Sequence, residues 1–396
     1  CASVNECESI LAPYTAAAAV IGVTAGTIFG LLYLQIRHRV VGDNITEEML
    51  LQAPAVQETD KSLAKHIIKF AIPVMTTSLI LNITNLIDSS TINNRLDRAL
   101  EKDFSTVYGM YADAITGSGT LKSDIGAFLY GSYATAFDFR NLIPSVIMTL
   151  GLSAIPVLSG AFALKDTEKM KDAISTVLKT ATLLSVPAGL CMAVLAEPML
   201  KIFYVGTKAE ASLSITTPYV QIFGIFALLL SISTPITNML QAVNRADVPV
   251  KSLCIASVAK ILCNYILVSI PTVNIKGAPV GTILFYIIII AQNLHALLKE
   301  TKVKINWKQT FLKPSLAGGL AAAVCLGIYQ LFFHVLPEGS GRNANFTYAA
   351  LLAAVFAILS WIGFLFLFKV LTKEDVEALP KGQKIAKVLE KRGLIK

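Results

Sequence analysis

The stretch VKSLCIASVAKILCNYILVSI, residues 250–270, decides the fold. It is apolar over about 20 residues, enough for a helix rising 1.5 Å per residue to cross roughly 30 Å of hydrocarbon. Midway along it stands Lys260, with Asn264 one turn beyond. A cation at that depth is expensive in hydrocarbon, so it marks a candidate functional group rather than decoration.

Eight further runs of this kind flank it. Together the nine extend over approximately Leu11 to Leu34, Ile67 to Thr91, Leu129 to Leu164, Thr180 to Tyr204, Tyr219 to Val243, Val250 to Ile270, Gly277 to Leu298, Phe311 to Val335 and Tyr348 to Leu371. With 54% hydrophobic and 15% charged residues the chain is far more apolar than a soluble domain. The runs lack the alternation of barrel strands, so each must satisfy its own backbone as a helix. The expected class is all-α, a polytopic helical membrane protein with nine transmembrane helices.

Lysine and arginine orient it. Of the 34, the connections on one side carry 23 and those on the other 8, while Lys69, Arg140 and Lys260 lie inside spans. The richer side is expected to be cytoplasmic, which puts the C-terminus inside and, with nine spans, the N-terminus outside. The chain opens on Cys1, has no basic n-region and enters its first span almost at once, so its start reads as the edge of a fragment rather than a signal peptide. Topology accounts for the net charge of +8. A nucleic-acid role would want a basic face on a recognisable module, and none is present.

The sequence holds no cofactor or metal motif. Cys191, Cys254, Cys263 and Cys325 fall within spans, where cysteine packs as a small polarizable hydrophobe, and Cys1 and Cys7 could pair on the outer side. The four histidines, His38, His66, His295 and His334, show no ligand spacing, and no phosphate loop or nucleophile elbow appears. An enzyme is therefore not expected.

Two connections are long: residues 35–66, polar and mixed in charge, and residues 93–128, whose Gly117, Ser118 and Gly119 suggest a mobile external loop. Within Asp166 to Lys179, Met170, Ala173, Ile174 and Val177 recur at helical spacing between lysines, as in an amphipathic helix on the inner membrane surface. Pro73, Pro144, Pro156, Pro187 and Pro235 interrupt apolar runs; Pro144, Pro187 and Pro235 are candidate hinges. Gly22, Gly26 and Gly30 make a double GxxxG ridge suited to close helix packing.

The segment VPAGLCMAVLAEPMLKIFYVG, residues 186–206, is followed by TPYVQIFGIFALLLSISTPITNMLQAVNRADVPV, then KILCNYILV and the KGAPVGT of Lys276 to Thr282. Upstream stands IMTLGLSAIPVLSGAFA, residues 147–163. In order and spacing these resemble the oligosaccharidyl-lipid exporters of the MOP superfamily, in particular the lipid II flippase and stage V sporulation protein B branch. The resemblance covers most of the chain, from about Thr15 to Leu371. It implies a fold of fourteen helices, of which these would be the last nine, with the N-terminal helices lacking. The division it implies is 1–66 for the last helix of the first lobe and a cytoplasmic linker, 67–298 for the second six-helix lobe, 299–371 for two additional helices, and 372–396 for a basic cytoplasmic tail.

The resemblance also sorts the intramembrane charges. Asp138 and Arg140 match an acidic and basic pair before the proline of the corresponding helix, but Phe139 intervenes and sets them about 200° apart. Both are candidate substrate-binding residues; Arg140 is the better, because a guanidinium meets pyrophosphate oxygens bidentately. In sodium-binding members of the superfamily an aspartate, two polar residues four apart and a threonine hold the ion. Asp88, Lys260, Asn264 and Thr282 match those positions, with Lys260 the departure: its ammonium could take the place of the cation and pair with Asp88. Lys69, near the inner boundary, is expected to snorkel.

The function implied is a flippase moving an undecaprenyl-pyrophosphate-linked glycan, lipid II or a related polysaccharide precursor, across the cell membrane by alternating access. The partners implied are membrane lipid, the lipid-linked oligosaccharide and cell-wall synthesis proteins, with no nucleic acid and no cofactor. Coupling to Na+, H+ or the membrane potential stays open. The alternatives are a multidrug or organic-cation antiporter of the same superfamily, which would want acidic groups in its cavity, a membrane-embedded glycosyl or acyl transferase, which would want clustered Asp, Glu or His, and a scaffold for cell-wall enzymes.

Overall fold

The computed structural model describes residues 4–42, 59–335 and 344–370. Residues 43–58 of the inner linker, the tail 372–396 and Cys1 lie outside the described residues, and the side chains of Cys7, Lys69 and Pro73 are likewise not described. The chain divides into two compact units, Cys1–Ile68 and Lys69–Lys396. The first contains helix α1 (Val4–Val41), which carries the glycine ridge. The two C-terminal helices belong to the second unit together with the expected six-helix lobe.

The second unit is built from α2 (Asp60–Lys102, from Lys69 onward), α3 (Phe104–Ser118), α4 (Ile125–Ala163), α5 (Thr167–Val194) and α6 (Ala196–Tyr204). It continues with α7 (Leu213–Ile225), α8 (Ala227–Ala242), α9 (Asp247–Leu267), α10 (Ala278–Thr301), α11 (Lys313–Val335) and α12 (Ala344–Leu367). Among the described residues seven helices are long and apolar enough to cross a membrane, or eight if one bent pair is a single span. Of the nine expected, the run from Ile67 to Thr91 is the one outside this set; it lies in the long helix α2, diluted by Thr76, Thr77, Ser78, Asn82, Thr84, Asn85 and Asp88. No strand occurs among the described residues. This is a multi-pass helical membrane protein.

Two apolar cores sit at opposite ends of the bundle. One gathers Ile92 and Leu96 of α2, Tyr111 of α3, Leu129 and Tyr133 of α4, and Tyr219 and Phe223 of α7. The other gathers Ile147 and Leu158 of α4, Ile174 and Leu178 of α5, Ile236 and Met239 of α8, and Leu294 and Leu297 of α10. Helices α4, α5 and α10 run through both, leaving a waist between them.

Two expectations need correcting. The connection 93–128 is not a mobile loop: α2 continues to Lys102, and α3 is capped by Asp103, whose carboxylate accepts from the Thr106 amide, and closed by Gly119 at φ 66°. Its apolar face, Val107, Tyr111, Ala114 and Ile115, is buried, which makes it a folded cap. The stretch from Asp166 to Lys179 is helical but is no surface helix; it is the first half of α5, and Met170, Ile174 and Val177 face the core instead of lipid headgroups.

The prolines and the sharpest bend fall in different places. The sharp bend, 54°, falls at Phe226 between α7 and α8 and not at Pro235, which lies inside α8. Pro187 and Pro235 are instead held by glycines. A Cβ at Gly318 of α11 would stand 2.9 Å from the Pro187 backbone nitrogen, and one at Gly151 of α4 would stand 2.8 Å from the Pro235 Cα. The bend adjoins a similar contact, since a Cβ at Gly189 of α5 would lie 2.5 Å from the Gly224 carbonyl oxygen. Backbones pressed together by small residues are how helices associate in lipid, where hydrophobicity offers no drive.

Candidate functional site

The waist carries the buried pair Asp88 and Lys260; the other buried charge among the described residues, Lys179, lies beside the second core on α5. On α2 the polar residues Thr77, Thr84 and Asp88, spaced by seven and four, form one buried stripe, while Leu79, Ile83, Leu86 and Ile87 are exposed. On α9 Ser257, Lys260 and Asn264, spaced by three and four, form another. The stripes face each other. Thr84 and Ser257 share a hydrogen bond of 2.7 Å, and the Lys260 ammonium lies 2.7 Å from Asp88 Oδ2. Asn264 Nδ2 donates to Asp88 Oδ1, so both carboxylate oxygens are engaged.

This pair is dry: Asp88 and Lys260 are each 5% exposed. Removing two charges from water costs several kcal/mol apiece, and only close geometry with further hydrogen bonds offsets it. Asn264 supplies that bond from one turn along α9, yet its own Oδ1 is buried without a partner. A Cβ at Gly281 of α10 would stand 2.3 Å from that oxygen, so the absence of a side chain there lets the amide reach the carboxylate. The Phe285 ring closes the other side, 5.7 Å from the Lys260 nitrogen.

Thr282 departs from the expected set. It is buried, but its hydroxyl lies 3.3 Å from that of Tyr133, not against Asp88. Tyr133 introduces the second cluster. Tyr133, Phe137 and Arg140 share one face of α4 at spacings of four and three, and Tyr133 and Phe137 pack on Phe223 of α7. The Arg140 guanidinium lies 4.3 Å from the Phe137 ring centre and 5.3 Å from that of Phe223. Its Nε is buried without an acceptor, and it forms no ion pair among the described residues. It lies within Coulombic reach of both Lys260 and Tyr133.

Asp138 does not join it. That residue is exposed while its neighbour Phe139 is buried, so two candidates two positions apart are separated by the helical turn. Pro144 sits one turn beyond Arg140 and lacks the amide proton that the Arg140 carbonyl would otherwise accept. Tyr133, Phe137, Phe223, Gly281 and the Thr84 to Ser257 bond were not singled out from sequence. The spacing of Tyr133, Phe137 and Arg140 was the available signal for the first two; the others depend on which helices meet.

The waist therefore contains one neutralised pair and one cation on aromatic faces. No group of three or more metal-ligating side chains occurs among the described residues.

Residues 121–266 match the MatE family model. That segment runs from the approach to α4 almost to the end of α9 and includes Arg140, Lys260 and Asn264 but neither Asp88 nor Thr282. Among curated proteins the chain is 22% identical to the uncharacterized membrane protein YabM of Bacillus subtilis over 96% of this chain and 65% of that protein. It is 23% identical to the lipid II flippase MurJ of the same organism over 93% of this chain and 64% of that protein. The chain thus spans just under two thirds of the length of these relatives. A solved MOP superfamily transporter from Pyrococcus furiosus aligns with a TM-score of 0.41 and 16% identity, covering 81% of this chain and 68% of that one.

Proposed function

We propose that this chain forms the second lobe and accessory helices of a membrane transporter that flips an undecaprenyl-pyrophosphate-linked glycan by alternating access. The observation that carries the reading is Arg140. A guanidinium held on aromatic rings at the waist, with no carboxylate of its own, is a site waiting for an anion. Asp88 already answers Lys260, so the cluster retains one positive charge. A pyrophosphate linked to a long apolar tail supplies the complement, and the planar fork of arginine suits its paired oxygens. The similarity to a relative named as a lipid II flippase agrees with that cargo. An organic cation would meet repulsion at the same place, which disfavours the multidrug reading.

Lys260 then stands in for a coupling cation. Its ammonium occupies the Asp88 oxygen that a sodium ion would otherwise bind, and the pair holds α2 against α9. Exchange between this closed pair and an open one would let the lobe rock.

The test is rescue of cells depleted of their lipid II flippase, combined with flipping of a fluorescent lipid-linked glycan in vesicles. Wild-type activity with loss on Arg140→Gln is expected. Export of a different glycan without rescue would redirect the cargo. In the same vesicles, flipping that rises with sodium and loses that dependence on Asp88→Asn would end the idea that Lys260 replaces the ion.

A further inference from the structure

One reactive pair lies outside the waist. Cys191 of α5 and Cys325 of α11 meet in one apolar cluster with Leu195, Ala350, Ala353 and Ala357. Cys325 is fully buried and Cys191 half-buried. Cys191 also lines a cavity of about 300 Å³ between α5 and α12, walled by Leu184, Pro187, Ala188 and Ile358. The contact of Gly318 with Pro187 brings the backbones of α5 and α11 together about one turn from Cys191 and two turns from Cys325.

We propose that Cys191 and Cys325 are a redox-sensitive pair that an apolar hydroperoxide oxidises to a disulfide, fastening α11 to α5. The cavity determines the order of events. An apolar hydroperoxide enters from the bilayer, and the Cys191 sulfur attacks its O–O bond. That bond breaks, the departing alkoxide takes the thiol proton to become an alcohol, and Cys191 becomes a sulfenic acid. The Cys325 sulfur then attacks the Cys191 sulfur, the S–S bond forms, and the hydroxyl leaves with the Cys325 proton as water. Two thiols have lost two electrons and the peroxide bond has gained them. The accessible thiol acts first and the buried one resolves it. The product ties the α11 and α12 pair to the lobe.

The experiment uses the whole chain in lipid nanodiscs, with Cys1, Cys7, Cys254 and Cys263 changed to Ser. Cumene hydroperoxide is added, the chain is unfolded in detergent and free thiols are labelled with a maleimide polymer. Two adducts before oxidation and none after are expected, with recovery on reduction and a Cys191 to Cys325 cross-linked peptide in the mass spectrum. Hydrogen peroxide, which partitions poorly into an apolar cavity, should act more slowly, and Cys325→Ser should abolish the cross-linked peptide. Adducts that persist after cumene hydroperoxide, or that vanish without the cross-linked peptide, would overturn the proposal.

Discussion

Lys260 and Arg140 are two cations at the same waist, treated in opposite ways. Lys260 is enclosed: a carboxylate, an amide and a ring surround it, and the carboxylate has no oxygen to spare. Arg140 is left open, with only ring faces for company and a nitrogen lacking an acceptor. On the function proposed above, the closed pair holds α2 against α9 and Arg140 receives the ligand.

The hardest test of this contrast is Lys260→Met. It leaves Asp88 charged without its counter-charge, held only by the Asn264 amide, which should cost about 3–5 kcal/mol in detergent-solubilised unfolding. The double change with Asp88→Asn should recover most of that. If the single change is silent, the pair is not a structural element. Arg140→Gln should do the reverse. Flipping of lipid-linked glycan should fall about 10- to 100-fold, in line with the 1.5–3 kcal/mol of a charged hydrogen bond, while the unfolding midpoint holds or rises. A loss of stability equal to that of Lys260→Met would erase the distinction.

Smaller effects sharpen it. Gly281→Ala should drive the Asn264 amide away from Asp88 and cost about 1–3 kcal/mol, whereas Gly131→Ala on α4, which has open space beside it, should be neutral or slightly stabilising in the same assay. The least effect is expected at the cap. Bonds from the Thr106 hydroxyl and amide and from the Ser105 hydroxyl hold the Asp103 carboxyl below the usual carboxylate range. A lowered acid contributes stability above its unfolded value of 3.8 and loses it as pH falls through the folded one. Amide exchange at Thr106 should therefore quicken on acidification, and Asp103→Ala should remove that pH dependence.

Much of the architecture was legible because lipid leaves few choices: long apolar runs must be helices, and α9, α10 and α12 appear near the places their composition demands. Asp88 and Lys260 were visible as misfits for the same reason. What stayed hidden depends on contact between helices distant in sequence. Phe226 carries the bend although Pro235 advertises one, since Pro235 is clasped by Gly151 and the backbone turns beside the Gly189 and Gly224 contact. The cap was hidden too, because α3 is only 15 residues long, too short to read as a span, and its buried face is four residues wide.

The Asp88 contacts also bear on how the protein is made. Asn264 lies 176 residues further along the chain than the aspartate it serves, so at 5–20 residues per second the ribosome delivers it roughly 10–35 s later. Through that interval α2, the least apolar of the expected spans, holds a carboxylate in the bilayer without its counter-charge, at a cost of order 2.5–3.5 kcal/mol. Emergence of α9 is the event that first supplies that counter-charge.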